Sequence, residues 1–194
     1  MLGKDSEAIA DYTRALGWQP PGAARADLYE ARALAFTRLG QVEKAVADLQ
    51  QAVSLVPDHP AACNGLAWFY ATGPAGMRAP AKALPLALAA VRRFPRNADY
   101  RNTLGVVYYR LGQYEQGLEA LEQSVQDHQG EATAYDWYYL AMSYHQLGRA
   151  AQAQSSYEQA REWQKYASLT PGERAELEAS RAEADAVLGR RPTP

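Results

Sequence analysis

Apolar and small residues recur along this chain at offsets of three, four and seven, the spacing that places side chains on one face of a helix. The pattern comes in two alternating forms. One reads Trp137, Leu140, Ala141, Tyr144; then Arg101, Leu104, Gly105, Tyr108; then Cys63, Leu66, Ala67, Tyr70. The other is small-x3-large-x2-small: Ala8/Tyr12/Ala15, Ala45/Leu49/Ala52, Gly117/Leu121/Ser124 and Ala153/Tyr157/Ala160, with Ala83/Ala87/Ala90 keeping the spacing alone. Leu-Gly stands at 2–3, 39–40, 111–112 and 147–148, where a glycine in the left-handed region can stop the first helix of a pair. Pro20, Pro57 and Pro95 follow the second form and end it. Helical hairpins are therefore predicted from end to end. Composition agrees, with 38 alanines against one isoleucine, Ile9.

The second form repeats after 37, 38, 34 and 36 residues. Together these residues resemble the tetratricopeptide repeat (TPR), a helix–turn–helix unit of about 34 residues, over roughly residues 2–166. The resemblance implies an all-α, right-handed α-solenoid forming one domain over 1–194. Its parts would be a half repeat over 5–22, full repeats over 26–59, 60–97, 98–131 and 134–166, and a capping helix over 171–188.

The copies are unequal. Arg32 stands in the first repeat where Leu is usual, beside Tyr29, Ala33 and Phe36. The second repeat carries extra residues, Thr72 to Arg78, in its turn, and Pro85 should kink its second helix or delay the start to about Lys82. Thr170-Pro171-Gly172-Glu173 reads as a capping box opening a last helix, with Ala175, Leu177, Ala179, Ala182, Ala186 and Leu188 between charges. Such a helix is expected to shield the end of the stack. Arg190 to Pro194 reads as a frayed end. The first helix has no partner before it, which leaves apolar surface open there.

Charge and chemistry narrow the function. Twenty Lys+Arg against 22 Asp+Glu give a formal charge of −2, which argues against a dedicated nucleic-acid or membrane-surface binder. No apolar run reaches membrane-spanning length, no secretory signal is visible, and a lone Cys63 excludes a disulfide framework, so a cytoplasmic protein is expected. His59, His128 and His145 fall in different repeats without metal-ligand spacing, and no nucleophile or paired carboxylates converge. The chain reads as a non-enzyme without cofactor or metal. Residues 59–98 carry five cations and no acid, while 111–148 carry six acids, Glu131 among them, and no Lys or Arg. Only Phe94 interleaves with those cations, too little for a stacking platform, so RNA is not the expected partner.

In TPR proteins the other face of each first helix lines a concave groove that grips peptides or helices. By the resemblance, the partner-binding residues here are Asn64, Trp68, Asn102, Val106, Tyr109, Tyr135, Tyr138, Tyr139, Met142 and His145. Aromatic side chains give large contact area there, and Asn can hold a ligand's backbone amides. The clamp of chaperone-binding TPR domains is not matched, because Glu30, Leu34, Gly65, Asp99 and Thr103 occupy its places. Leu66 to Thr72, Ala81 to Leu84, Tyr100 to Gly105 and Tyr135 to Met142 also look like TPR tails of large bacterial multidomain proteins, many with a Ser/Thr kinase domain. Three readings stay open. The chain is a stand-alone adaptor holding a protein or peptide, the C-terminal regulatory or scaffolding segment of a larger bacterial signalling enzyme, or a module that self-assembles through its uncapped N-terminal end.

Overall fold

A computed structural model of the chain describes residues 2–129 and 132–190. The expected boundary at Glu131 and the tail from Arg191 onward lie outside the described residues. Among the described residues are ten α-helices and no strand: α1 (Leu2–Gly17), α2 (Gly22–Arg38), α3 (Val42–Leu55), α4 (Pro60–Thr72), α5 (Pro80–Arg93), α6 (Ala98–Arg110), α7 (Tyr114–Asp127), α8 (Ala134–Gln146), α9 (Ala150–Tyr166) and α10 (Pro171–Val187). They form an all-α TPR solenoid, in which α2/α3, α4/α5, α6/α7 and α8/α9 pair as hairpins and each hairpin packs on the next.

The turns follow from the Leu-Gly signal. Gly40, Gly112 and Gly148 sit at φ near +70°, a region costly for other residues. The amide after each glycine then reaches back to a carbonyl five residues earlier: Gln41 to Phe36 at 2.8 Å, Gln113 to Tyr108 at 3.0 Å, Arg149 to Tyr144 at 2.9 Å. Leu2-Gly3 differs, being the first turn of α1 itself. The longer link in the second repeat forms one 3₁₀ turn, Ala75–Met77, and the Ala79 amide donates to Tyr70 O at 2.8 Å. There α5 begins at Pro80 and runs through Pro85, so its start is not delayed. Pro80 takes the first helical position, where a fixed φ helps and the missing N–H costs nothing.

Small residues bring the hairpins close. A Cβ on Gly105 would lie 2.5 Å from Leu121 Cγ, and one on Gly117 would lie 3.1 Å from Gly105 O. Helices α6 and α7 thus meet almost backbone to backbone. Arg32 is accommodated by a two-pronged pair with Asp48, at 2.7 and 2.8 Å, and by the Tyr29 and Phe36 rings under its guanidinium. Repeats three and four are tied by Asp136. It is fully buried and accepts hydrogen bonds from Asn102 Nδ2 (2.8 Å), Ser124 Oγ (2.7 Å), and the amide and hydroxyl of Thr133 (both 2.9 Å).

The last helix forms where the capping box places it, with Thr170 N–H and Oγ1–H both donating to Glu173 at 2.8 Å. Its position differs from a cap stacked beyond α9. It packs against α8 and α2, so it doubles back across the concave side of the first helices. The start of α10 rests on the end of α2: a Cβ on Gly172 would stand 1.9 Å from Thr37 O. Leu177 and Ala184, one helical face seven residues apart, are fully buried in the cluster that holds Tyr138, Tyr139 and Met142. That concave side offers α10 an aromatic surface to cover, and burial stabilises in proportion to the area removed from water.

Candidate functional site: a concave groove partly filled by the last helix

First helices α4, α6 and α8 carry the expected groove residues, and those that share a concave face meet one another, because offsets of three, four and seven repeat in each. On that side Trp68 meets Tyr135 edge-on, ring centroids 5.4 Å apart, and Tyr139 at 6.4 Å. Tyr139 in turn meets Tyr109 at 5.7 Å. The Arg110 guanidinium lies over both of these tyrosines, donates to Tyr139 OH (2.8 Å) and Ala71 O (2.7 Å), and pairs with Glu183 of α10. Burial acts most strongly on Arg110, against its charge, but the Glu183 hydrogen bond and the nearby charge of Glu183 with Tyr139 and Tyr109 together outweigh it and hold the group above its ordinary pKa. Tyr135 OH donates to Glu173 O at 2.8 Å, and Trp68 Nε1–H to Glu176 Oε2 at 3.4 Å. Helix α10 is thereby fastened along its length, by backbone contact at Gly172 and by polar contacts at Glu173, Glu176 and Glu183.

The expected site residues therefore divide. Asn102, Val106, Tyr109, Tyr138, Tyr139 and Met142, expected on an open face, are buried. Asn102 is spent on Asp136. Tyr138 donates to Gln164 Oε1 at 2.9 Å and packs on Tyr157, 5.6 Å between centroids. Val106 and Met142 are fully enclosed in the core, and Tyr135 is half-buried under the start of α10. His145 is exposed at the end of α8, outside the aromatic cluster. The correction has one physical cause: neighbouring repeats and α10 take the surface that an isolated hairpin would leave open. Burial also pushes the phenols of Tyr109, Tyr138 and Tyr139 up to about 12 and Tyr135 higher, so all four are neutral hydrogen-bonding groups.

Asn64 and Trp68 stand elsewhere. They line an open cavity of about 460 Å³ between α2, α3, α4 and the first half of α10. Its walls are mainly apolar, built from Leu34, Val46, Leu49, Trp68 and Phe69, with Ala175, Glu176 and Ala179 from α10. Glu30, Leu34 and Gly65, read from the sequence at groove positions, lie here too. Phe69, Val46 and the α10 residues were not expected, since the only sequence signal for them is helical periodicity that also fits core positions. Leu34 is 47% exposed, unusual for a residue in a mostly apolar hollow and the mark of an open one.

Other chemistry is sparse. Among the described residues no group of three or more His, Cys, Asp or Glu is placed to hold a metal ion, and no helix is long and apolar enough to cross a membrane. Cys63 is buried, its thiol donates to Pro57 O at 3.3 Å, and burial pushes its pKa up to about 11.

Stacked hairpins around one concave wall define a repeat protein of the interaction type. Two tetratricopeptide-repeat family models match, over residues 26–59 and 96–167, together more than half of the chain. The chain belongs to the tetratricopeptide-repeat family, whose repeats generally mediate binding of protein partners and are typically non-catalytic. Among solved structures it is similar to a thermophilic TPR protein of Thermus thermophilus, TTC0263, with 23% identity and TM-score 0.63 over 94% of this chain and 91% of that one. MamA AMB-1 is 23% identical, with TM-score 0.59 over 84% and 96%. The segment from residue 41 to the end of MamA from Desulfovibrio magneticus RS-1 is 19% identical, with TM-score 0.57 over 84% and 96%. At these identities the likeness is one of fold. No curated protein matches the chain significantly.

Proposed function

We propose that the chain is a non-catalytic module that holds a peptide or helical segment of a partner protein in the part of the concave groove left open by α10. The observation that carries this reading is the cavity itself, an apolar hollow of about 460 Å³ on the face where the family takes its partners. A second observation supports it: the rest of the same groove already holds a helix, α10, by an apolar stripe and acidic side chains. A groove that accepts one such segment in cis has the shape for another beside it. The working surface is the same in a stand-alone adaptor and in the C-terminal segment of a larger bacterial signalling enzyme. A reducing cytoplasm suits the single buried thiol.

The test is partner capture by wild type and by Leu34→Asp, a change at a half-exposed position that leaves the two cores intact. The expected result is loss of the captured partner at unchanged far-ultraviolet helicity. Retention of the same partner by the variant refutes the reading.

A further inference from the structure

The cavity between α2, α3, α4 and α10 also carries a chemical preference. Several of its donors are already committed inward. Thr37 Oγ1–H donates to Ala33 O at 3.1 Å, Thr72 Oγ1–H to Trp68 O at 2.9 Å, and Trp68 Nε1–H to Glu176. Arg78, the one cation among the residues lining the cavity, is exposed at the rim with its Nε–H on Gly73 O at 2.7 Å. Its acceptors are not committed. Asn64 Oδ1, as the side chain is oriented here, is buried with no hydrogen-bond partner. Glu30 lines the cavity without a hydrogen bond or ion pair to any described residue, and Glu176 has its second oxygen to spare. Apolar walls with two carboxylates and an unsatisfied amide oxygen among them favour an occupant that is apolar in body and a donor at its head.

Resting on the reading above, we propose that the cavity takes a partner segment in which an apolar side chain is followed directly by arginine or lysine. The apolar side chain fills the hollow between Leu34, Val46, Leu49 and Phe69, and the cationic head reaches Glu30 and Glu176. An N–H of the segment satisfies Asn64 Oδ1. Burial already holds both carboxyl groups above the ordinary glutamate value. A wholly apolar occupant deepens that cost by excluding more water, whereas a guanidinium or ammonium offsets it. The aliphatic stem of Lys or Arg adds contact along the same apolar wall.

The experiment measures fluorescence anisotropy of the full chain with two labelled octapeptide pools. They are random at the flanks and identical except for a central Leu-Arg in one and Leu-Glu in the other. The Leu-Arg pool is expected to bind about fivefold tighter, the size of one or two partly screened ion pairs. That preference should vanish in Glu30→Gln/Glu176→Gln and shrink at about 0.5 M NaCl. A preference that survives the double variant overturns the roles given to the two glutamates. Equal binding of both pools, abolished by Leu34→Asp, overturns the basic chemistry while leaving the groove reading in place. Binding of neither pool to a chain of intact helicity overturns both.

Discussion

Gly172 offers the sharpest test of how α10 is held. A methyl group there would sit 1.9 Å from Thr37 O, 3.1 Å from Thr37 C and 3.2 Å from Gly40 N. An ordinary contact between carbon and oxygen lies near 3.2 Å or beyond, so α10 must lift by more than about 1 Å. The end of α2 cannot yield instead, because Thr37 O already accepts from Gly40 N–H at 2.9 Å within the turn. Lifting the start of α10 stretches its nearest fastenings, Tyr135 OH to Glu173 O at 2.8 Å and Trp68 Nε1 to Glu176 at 3.4 Å. Two hydrogen bonds and an overpacked contact together amount to about 2–3 kcal/mol. Alanine's better helix propensity returns at most about 1 kcal/mol. The net loss for Gly172→Ala is then about 1–2 kcal/mol of docking free energy. Amide hydrogen exchange across 171–187 should quicken roughly five- to thirtyfold relative to α6, with the intrinsic fluorescence of Trp68 changing as its neighbour withdraws. Exchange as slow as in wild type, or a raised melting temperature, would mean that helix propensity dominates and that the close approach to Thr37 is not what seats α10.

Two further predictions concern buried carboxylates. Asp136→Asn puts a donor where two donors already point, so it should cost about 2–4 kcal/mol, seen as a lower urea midpoint at unchanged slope; a loss under about 1 kcal/mol would show that Asp136 is not the tie between repeats three and four. Glu176, raised by burial above its ordinary 4.5 and lowered in part by the Trp68 hydrogen bond, favours folding below that value. The advantage is lost as pH rises through its folded pKa, beyond which the charged group is a net cost. Glu176→Gln, neutral throughout and still an acceptor for Trp68, should therefore melt higher than wild type at about pH 7 and level with it at about pH 4, by paired calorimetric scans; an equal offset at both values would remove ionisation as the cause.

Helix order, the hairpin turns at Gly40, Gly112 and Gly148 and the closing helix were legible in the residues, whereas Leu2-Gly3 and Pro85 misled. Gly40, Gly112 and Gly148 end first helices because only glycine enters the left-handed region cheaply, and Thr170 with Glu173 begins the last helix because the Glu173 carboxylate accepts from the Thr170 amide and the Thr170 hydroxyl from the Glu173 amide. These are local rules, settled within a few bonds of the residue concerned. The candidate site was half legible. Asn64 and Trp68 were named and line the cavity, as do Glu30 and Leu34. Tyr138, Tyr139, Val106 and Met142 were named on the same grounds and are buried. Helical periodicity tells which side chains share a face, but it does not tell what that face meets.

The sequence alone thus determined a tandem of helical hairpins and the existence of a final amphipathic helix, since both follow from spacing, capping and glycine conformation. Only the tertiary structure decided that this helix lies along the concave wall rather than beyond α9. Its apolar stripe, Leu177 and Ala184, would fit several faces equally well by pattern. What selects among them is a sum of distant contacts, from Thr37 through Trp68 and Arg110 to Tyr157, contributed by every repeat but no single segment. Where that helix lies also decides which stretch of the groove stays open.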